Sequence, residues 1–164
     1  MIDRGINRLG TAAAWLNLGM VAVTCIVVAL RYAFGAGAIA MQEAVIYMHA
    51  IALSTGLAYT LQRDEHVRVD LLYARMGERG KSWVNLCGHL FLLVPTCICI
   101  MAVSLPYAVQ SWSILEGSPE VGGVPAVFLL KSLLPASAAL LALQGLTMAW
   151  REAQSLRASR QAET

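Results

Sequence analysis

Four blocks of apolar residues, 11–33, 41–61, 82–112 and 124–150, leave this chain of 164 residues few ways to fold. Each block is long enough to cross a bilayer core, which takes about 20 apolar residues. Hydrocarbon offers no partner to a free backbone amide, so each block must pair its amides within itself, as a helix does. The whole chain is 58% hydrophobic, where a soluble domain holds about 45–50% apolar residues, and the excess lies in the blocks. The connecting stretches leave no room for a separate soluble domain. The sequence therefore predicts an all-α integral membrane protein: a single domain over 1–164 with four transmembrane helices in a bundle.

The first block raises the alternative of a cleaved signal peptide, since Arg4 and Arg8 precede it and small residues follow at 36–40. Its apolar run exceeds the ~7–15 residues of a signal core. Arg31 and Tyr32 also separate that run from the small residues, so an uncleaved first span is expected. The four cysteines (Cys25, Cys87, Cys97, Cys99) all lie within the blocks. They read as small packing residues and not as a disulfide framework or a metal site.

Charge decides the orientation. Nine of the 22 charged residues fall between positions 62 and 81, in the stretch QRDEHVRVDLLYARMGERGK. Arg63, Arg68, Arg75, Arg79 and Lys81 in this stretch join Arg4 and Arg8 at the N-terminus and Arg151, Arg157 and Arg160 at the C-terminus. These are ten of the twelve basic residues, and an even number of spans places them all on one side. The positive-inside rule assigns that side, with both termini, to the cytoplasm. Trp15, Trp83, Trp150 and Tyr59 fall near inner span ends and Trp112, Tyr32, Tyr47 and Tyr107 near outer ones, as amphipathic rings prefer. Within the 62–81 hairpin, Val69, Leu72, Tyr73 and Met76 recur at helical spacing. They allow an interfacial helix whose basic neighbours meet lipid headgroups; a solvated loop is the other reading.

The spans carry almost no ionisable groups. Arg31 closes the first, Glu43 opens the second, and Lys131 lies two turns into the fourth. Arg31 and Glu43 sit close enough in sequence to pair across the short outer turn. No Asp or Glu occupies the middle of any span. An ion or substrate path through a membrane is built from such groups, so a self-contained small exporter is disfavoured. His49 and His89 invite a haem b electron-transfer reading. Counted from their span ends they differ in depth by about 10 Å, which two axial ligands do not tolerate. What the spans do carry is packing: Ala138, Ala142, Gly145 and Ala149 form a small-residue stripe, suited to close approach of another helix. Pro95, Pro106 and Pro135 are expected to bend their helices.

Five motifs then stand in a specific order. Arg31-Tyr32-x-Phe34 closes span one and Gln42-Glu43 opens span two; His66-Val67-Arg68-Val69-Asp70 lies in the basic hairpin. Trp112 to Pro125, with Glu116-Gly-Ser-Pro-Glu120, forms the outer loop, and Leu143-Gln144-Gly145-Leu146 ends span four. Together they resemble the small, Q-type membrane subunit of tripartite ATP-independent periplasmic (TRAP) transporters over roughly residues 10–150. The outer loop with Lys131 is similar to a mannitol/chloroaromatic or keto-acid subgroup. Many relatives carry an acidic pair where this chain has Gln42-Glu43, so only Glu43 matches.

The resemblance implies a multi-pass protein of a bacterial inner membrane that is not an enzyme and carries no cofactor. Its implied partners are a large multi-span permease subunit, which binds the sodium ions, a periplasmic substrate-binding protein, and membrane lipids; nucleic acid is not among them. His66, Arg68 and Asp70 would brace the cytoplasmic hairpin. Arg31, Glu43, Glu116, Glu120 and Lys131 would order the outer face and meet the binding protein.

Overall fold

A computed structural model describes the backbone of residues 2–63, 73 and 75–161, with side chains from residue 10 onward except 159 and 160. Helix α1 spans Ile2–Phe34 and α2 spans Ile39–Gln62. The third crossing is one continuous rod made of α3 (Glu78–Cys87), a π-helical segment Gly88–Leu93 and α4 (Val94–Ser113). Helix α5 spans Val127–Gln161. Four helical stretches are long and apolar enough to cross a membrane: Gly10–Phe34, Ile39–Gln62, Glu78–Ser113 and Val127–Ala158. Among the described residues there is no strand. Of the expected interfacial helix, Val69 and Leu72 lie outside the described residues, while Tyr73 and Met76 are described.

The helices pack in the order α1, α2, α5, third crossing: α1 lies on α2, α2 on α5, and α3, the π segment and α4 on α5. At most 17% of the most apolar window of any crossing is buried inside the chain. The apolar side chains therefore do not form a globular core. Few side chains are buried among the described residues, and most of the apolar ones are small, such as Ala52, Ala58, Cys97, Ala108, Ala138 and Ala149. Hydroxyls within the rods satisfy themselves locally: Thr24 donates to the Met20 carbonyl at 2.7 Å, Thr60 to Gly56 at 2.9 Å and Thr147 to Leu143 at 2.8 Å. Such back-bonding lets a polar residue sit in an apolar helix without a tertiary partner.

Two glycines set how closely neighbouring rods approach. A β-carbon on Gly10 of α1 would stand 2.3 Å from Cδ2 of Tyr59 on α2, so the ring lies flat against bare backbone. A β-carbon on Gly145 of α5 would stand 2.5 Å from Cδ2 of Leu93 in the π segment. The small-residue stripe is turned mainly inward: Ala138, Gly145 and Ala149 are buried within the chain and Ala142 is half-buried. Gln144, beside it, is among the largest fully buried side chains.

The prolines act in different ways. Pro95 cannot donate to the carbonyl four residues back, and its ring crowds that carbonyl. The turn before it widens, and the Val94 amide donates to the His89 carbonyl five residues back. Helices α4 and α5 run through Pro106 and Pro135 without interruption.

Candidate functional site

The chain's polar chemistry gathers at its two ends. The outer end, opposite the basic hairpin, is formed by the turn 35–38 and the loop 114–126. Helix α4 stops there because Leu115 adopts a positive φ of 46° and Glu116 donates its amide back to the Ser111 carbonyl at 3.0 Å. The loop then folds on itself. Ser118 N–H donates to Val124 O at 3.2 Å, and Gly123 N–H to Glu120 O at 3.0 Å, with Gly122 supplying the left-handed backbone (φ 83°) between them.

Glu43 is the keystone of this loop. Its carboxylate accepts the Ser118 hydroxyl on one oxygen and, on the other, the Val124 amide at 2.6 Å. Ser118 Oγ in turn accepts the Glu120 amide at 3.1 Å. A carboxylate one turn into α2 thus holds two limbs of a loop that lies 75 and 81 residues further along the chain. Gly123 makes the closeness possible: a β-carbon there would fall 2.4 Å from Ser118 Oγ and 2.7 Å from Glu43 Oε1.

A second clasp stands beside the first. Lys131, at the start of α5, donates to the Glu116 carboxylate and lies 4.1 Å above the centroid of the Tyr107 ring on α4. Trp112 Nε1 donates to Ser132 Oγ at 2.7 Å, and its ring meets Phe128 edge-on at 4.6 Å. Loop, α4 and α5 are thereby fixed to one another. The hydrogen bond from Lys131 holds the Glu116 carboxyl below its ordinary value of 4.5. A lowered carboxylate stabilises the folded state at pH values above the unfolded pKa, and loses that contribution as pH falls through the folded value. The unfolding temperature of the wild-type chain is therefore expected to exceed that of Glu116→Gln by a constant margin from pH 8 to about pH 5. The margin should begin to shrink as pH falls below about 4.5 and go on shrinking through the lowered folded-state value; a margin undiminished in strong acid would contradict a stabilising role for the ion pair.

The remaining outer residues behave differently from one another. Glu120 contributes its backbone to the loop while its side chain stays exposed. The expected pairing of Arg31 with Glu43 does not form: Glu43 turns to the loop, and Arg31 stands exposed at the end of α1 with no ion pair among the described residues. The reason is geometric. α1 ends in a left-handed Gly35 (φ 63°), while Glu43 already lies a full turn into α2, on the side that faces the loop.

At the inner end, His66, Arg68 and Asp70 lie outside the described residues. What is described there is a network absent from the sequence reading. Asn85 of α3 donates to Tyr73 Oη at 3.0 Å and to Glu152 Oε1 of α5 at 3.1 Å. Lys81 pairs with Glu78 at 2.9 Å and lies 5.9 Å from the Tyr73 ring centroid. The signal available in the sequence was an asparagine one turn inside an apolar block and a glutamate just after another.

The two histidines are not a facing pair. His49 lines a groove between α1 and α2 with Asn17 and Thr60, whereas His89 is buried in the π segment of the third crossing, which packs on α5. No group of three or more potential metal ligands occurs among the described residues.

Four membrane-length helices with polar caps at both ends define a multi-pass membrane subunit, a rod assembly whose surface is mostly unburied by its own chain. The sequence matches the family described as tripartite ATP-independent periplasmic transporters, DctQ component, over residues 20–155. The chain belongs to that family: it is a small component of a TRAP transporter, and not an enzyme. No curated protein matches it closely.

Proposed function

We propose that this chain is the small permease subunit that holds a large, multi-span transport subunit in a bacterial inner membrane, and that its outer clasps form part of the seat for a periplasmic substrate-binding protein. The observation that carries the reading is the disproportion between apolar surface and core: no more than 17% of any crossing's most apolar window is buried by the chain itself. Its spans hold no acidic residue at mid-depth, so the moving parts belong to the partner. Glu43, Glu116 and Lys131 hold the outer loop in one shape, with Arg31 and Glu120 exposed around it for contact with the binding protein. His66, Arg68 and Asp70 brace the cytoplasmic hairpin. The cargo is a small organic acid, of the keto-acid or mannitol/chloroaromatic type, carried with sodium ions bound on the large subunit.

Vesicles reconstituted with all three components test this. A labelled organic acid should accumulate only with the binding protein, the large subunit, this chain and an inward sodium gradient present together. Full uptake without this chain, or without sodium, would contradict the corresponding part of the proposal.

A further inference from the structure

Two polar side chains stand near the middle of the membrane and are left open there by their own chain. His49 lies ten residues after Ile39 and thirteen before Gln62, the two ends of α2, so about 15 Å and 20 Å along the rod from them. Gly10 packs opposite Tyr59 and Gly19 opposite Met48, a register that sets Asn17 of α1 level with residues 50–52 of α2. Asn17 and His49 therefore lie within about 5 Å of each other in depth. Both line one groove of about 330 Å³ between α1 and α2. Both are exposed, and among the described residues neither finds a hydrogen-bond or ion-pair partner. The nearby hydroxyls behave otherwise: Thr55 and Thr60 return theirs to carbonyls of α2. A carboxamide and an imidazole facing bare hydrocarbon leave polar atoms unpaired, at a cost that membrane proteins avoid by turning such groups towards protein.

The floor of the groove admits a close neighbour. Ala52, Gly56 and Thr60 follow one another at intervals of four on one face of α2. A β-carbon on Gly56 would meet nothing within 4 Å, so bare backbone there faces out of the chain. Water and headgroups do not reach this depth. An acyl chain would fill the volume and pair neither polar side chain. A second copy of the same face would set hollow against hollow, where a hollow takes a ridge. We propose, resting on the reading of the chain as a permease subunit, that this groove receives one transmembrane helix of the large subunit. An uncharged hydroxyl or carboxamide side chain on that helix bonds Asn17 and His49 at mid-depth; a charged one would cost far more to place there.

The test titrates the purified large subunit of the same transporter against the labelled full chain in mild detergent, with association read by fluorescence transfer. Asn17→Leu with His49→Leu should weaken association about tenfold, the effect of losing two interhelical hydrogen bonds in a membrane. The unfolding temperature of that variant by itself should stay equal or rise, because leucine suits hydrocarbon better than either residue it replaces. That readout separates a partner contact from a structural role within the chain. His49→Gln keeps a hydrogen-bonding group at the same depth and should stay within about twofold of wild type. Gly56→Leu fills the groove where this chain has nothing to displace. It should weaken association at least as much as the double variant, with the chain's own unfolding temperature unchanged. A benzophenone side chain in place of Leu57, which also lines the groove, should crosslink to the large subunit.

Unchanged association in the double variant or in Gly56→Leu, beside a wild-type chain that binds, would overturn the proposed seat and leave the permease reading intact. A wild-type chain with no affinity for the large subunit would overturn both. Crosslinks from position 57 to a second copy of this chain would mean a self-association face, and crosslinks to lipid alone would mean a face turned to the bilayer. A lower unfolding temperature in the isolated double variant would mean that Asn17 and His49 serve the chain itself.

Discussion

Replacing Gly123 by alanine is expected to open the outer loop and lower the unfolding temperature of the chain by several degrees. The added methyl would stand 2.4 Å from Ser118 Oγ and 2.7 Å from Glu43 Oε1, closer than any real contact. Neither neighbour can retreat cheaply. Ser118 Oγ already bonds Glu43 and the Glu120 amide, and Glu43 is held by the Val124 amide as well. Inserting a methyl into such a site costs about 1–3 kcal/mol. The local readout is proteolysis of the 114–126 loop, which should accelerate in Gly123→Ala. Because Ser118 Cβ is also in the way, at 2.6 Å, Ser118→Gly in the same chain should recover part of the loss. An unchanged unfolding temperature together with unchanged protection of the loop would show that the clasp around Glu43 does not order the outer face.

The second large effect is expected at Gly10. A β-carbon there would meet three carbons of the Tyr59 ring at 2.3–2.7 Å. An aromatic ring cannot fold away as a methyl can, and Tyr59 is further pinned by the Arg63 guanidinium 5.1 Å from its centroid. Helix α1 relies on α2 for its packing, so Gly10→Ala should push the two rods apart at their inner ends. The expected cost is again about 1–3 kcal/mol, with a fall in crosslinking between single cysteines placed on α1 and α2. Gly145→Ala provides the internal comparison. Its obstacle is the terminal methyl of Leu93, 2.5 Å from the new β-carbon, with Cγ already at 3.4 Å. A leucine can change rotamer, so Gly145→Ala should cost clearly less than Gly10→Ala. Equal effects would mean that ring rigidity is not what decides, and that the α1–α2 contact is no tighter than the α5 contact.

How much of this was legible beforehand follows from the range of each interaction. The four crossings were readable because hydrocarbon imposes a length and a composition on each segment separately. The end caps were readable only as charges at span ends. Glu43 and Glu116 could be singled out as carboxylates where an outer loop begins, but nothing local reveals that Glu43 reaches Ser118 across 75 residues of sequence. The expectation that Glu43 would choose Arg31 followed nearness in sequence. The fold brings two loop donors closer than that cation, and they win.

The same limit hid the Tyr73–Asn85–Glu152 network, whose members belong to three segments. Pro95 signalled a distortion of the third crossing, though not that it would take the form of a widened π turn. The stripe at Ala138, Ala142, Gly145 and Ala149 announced close helix approach. Only the packing shows that most of it is consumed inside the chain, by neighbours such as Leu93. The large apolar side chains that stay exposed lie elsewhere, such as Trp15 and Val21 on α1 and Phe91, Leu92 and Val103 on the third crossing.

The central claim is that these rods exist to be covered by a bigger membrane protein. Affinity capture of the chain from native membranes in mild detergent measures this directly. A multi-span permease is expected to accompany it in near-equal amount, with Phe91, Leu92 and Val103 or the α1 face shielded from labelling in the complex. Recovery of the chain by itself, with those faces as open to labelling in the membrane as after purification, would contradict it.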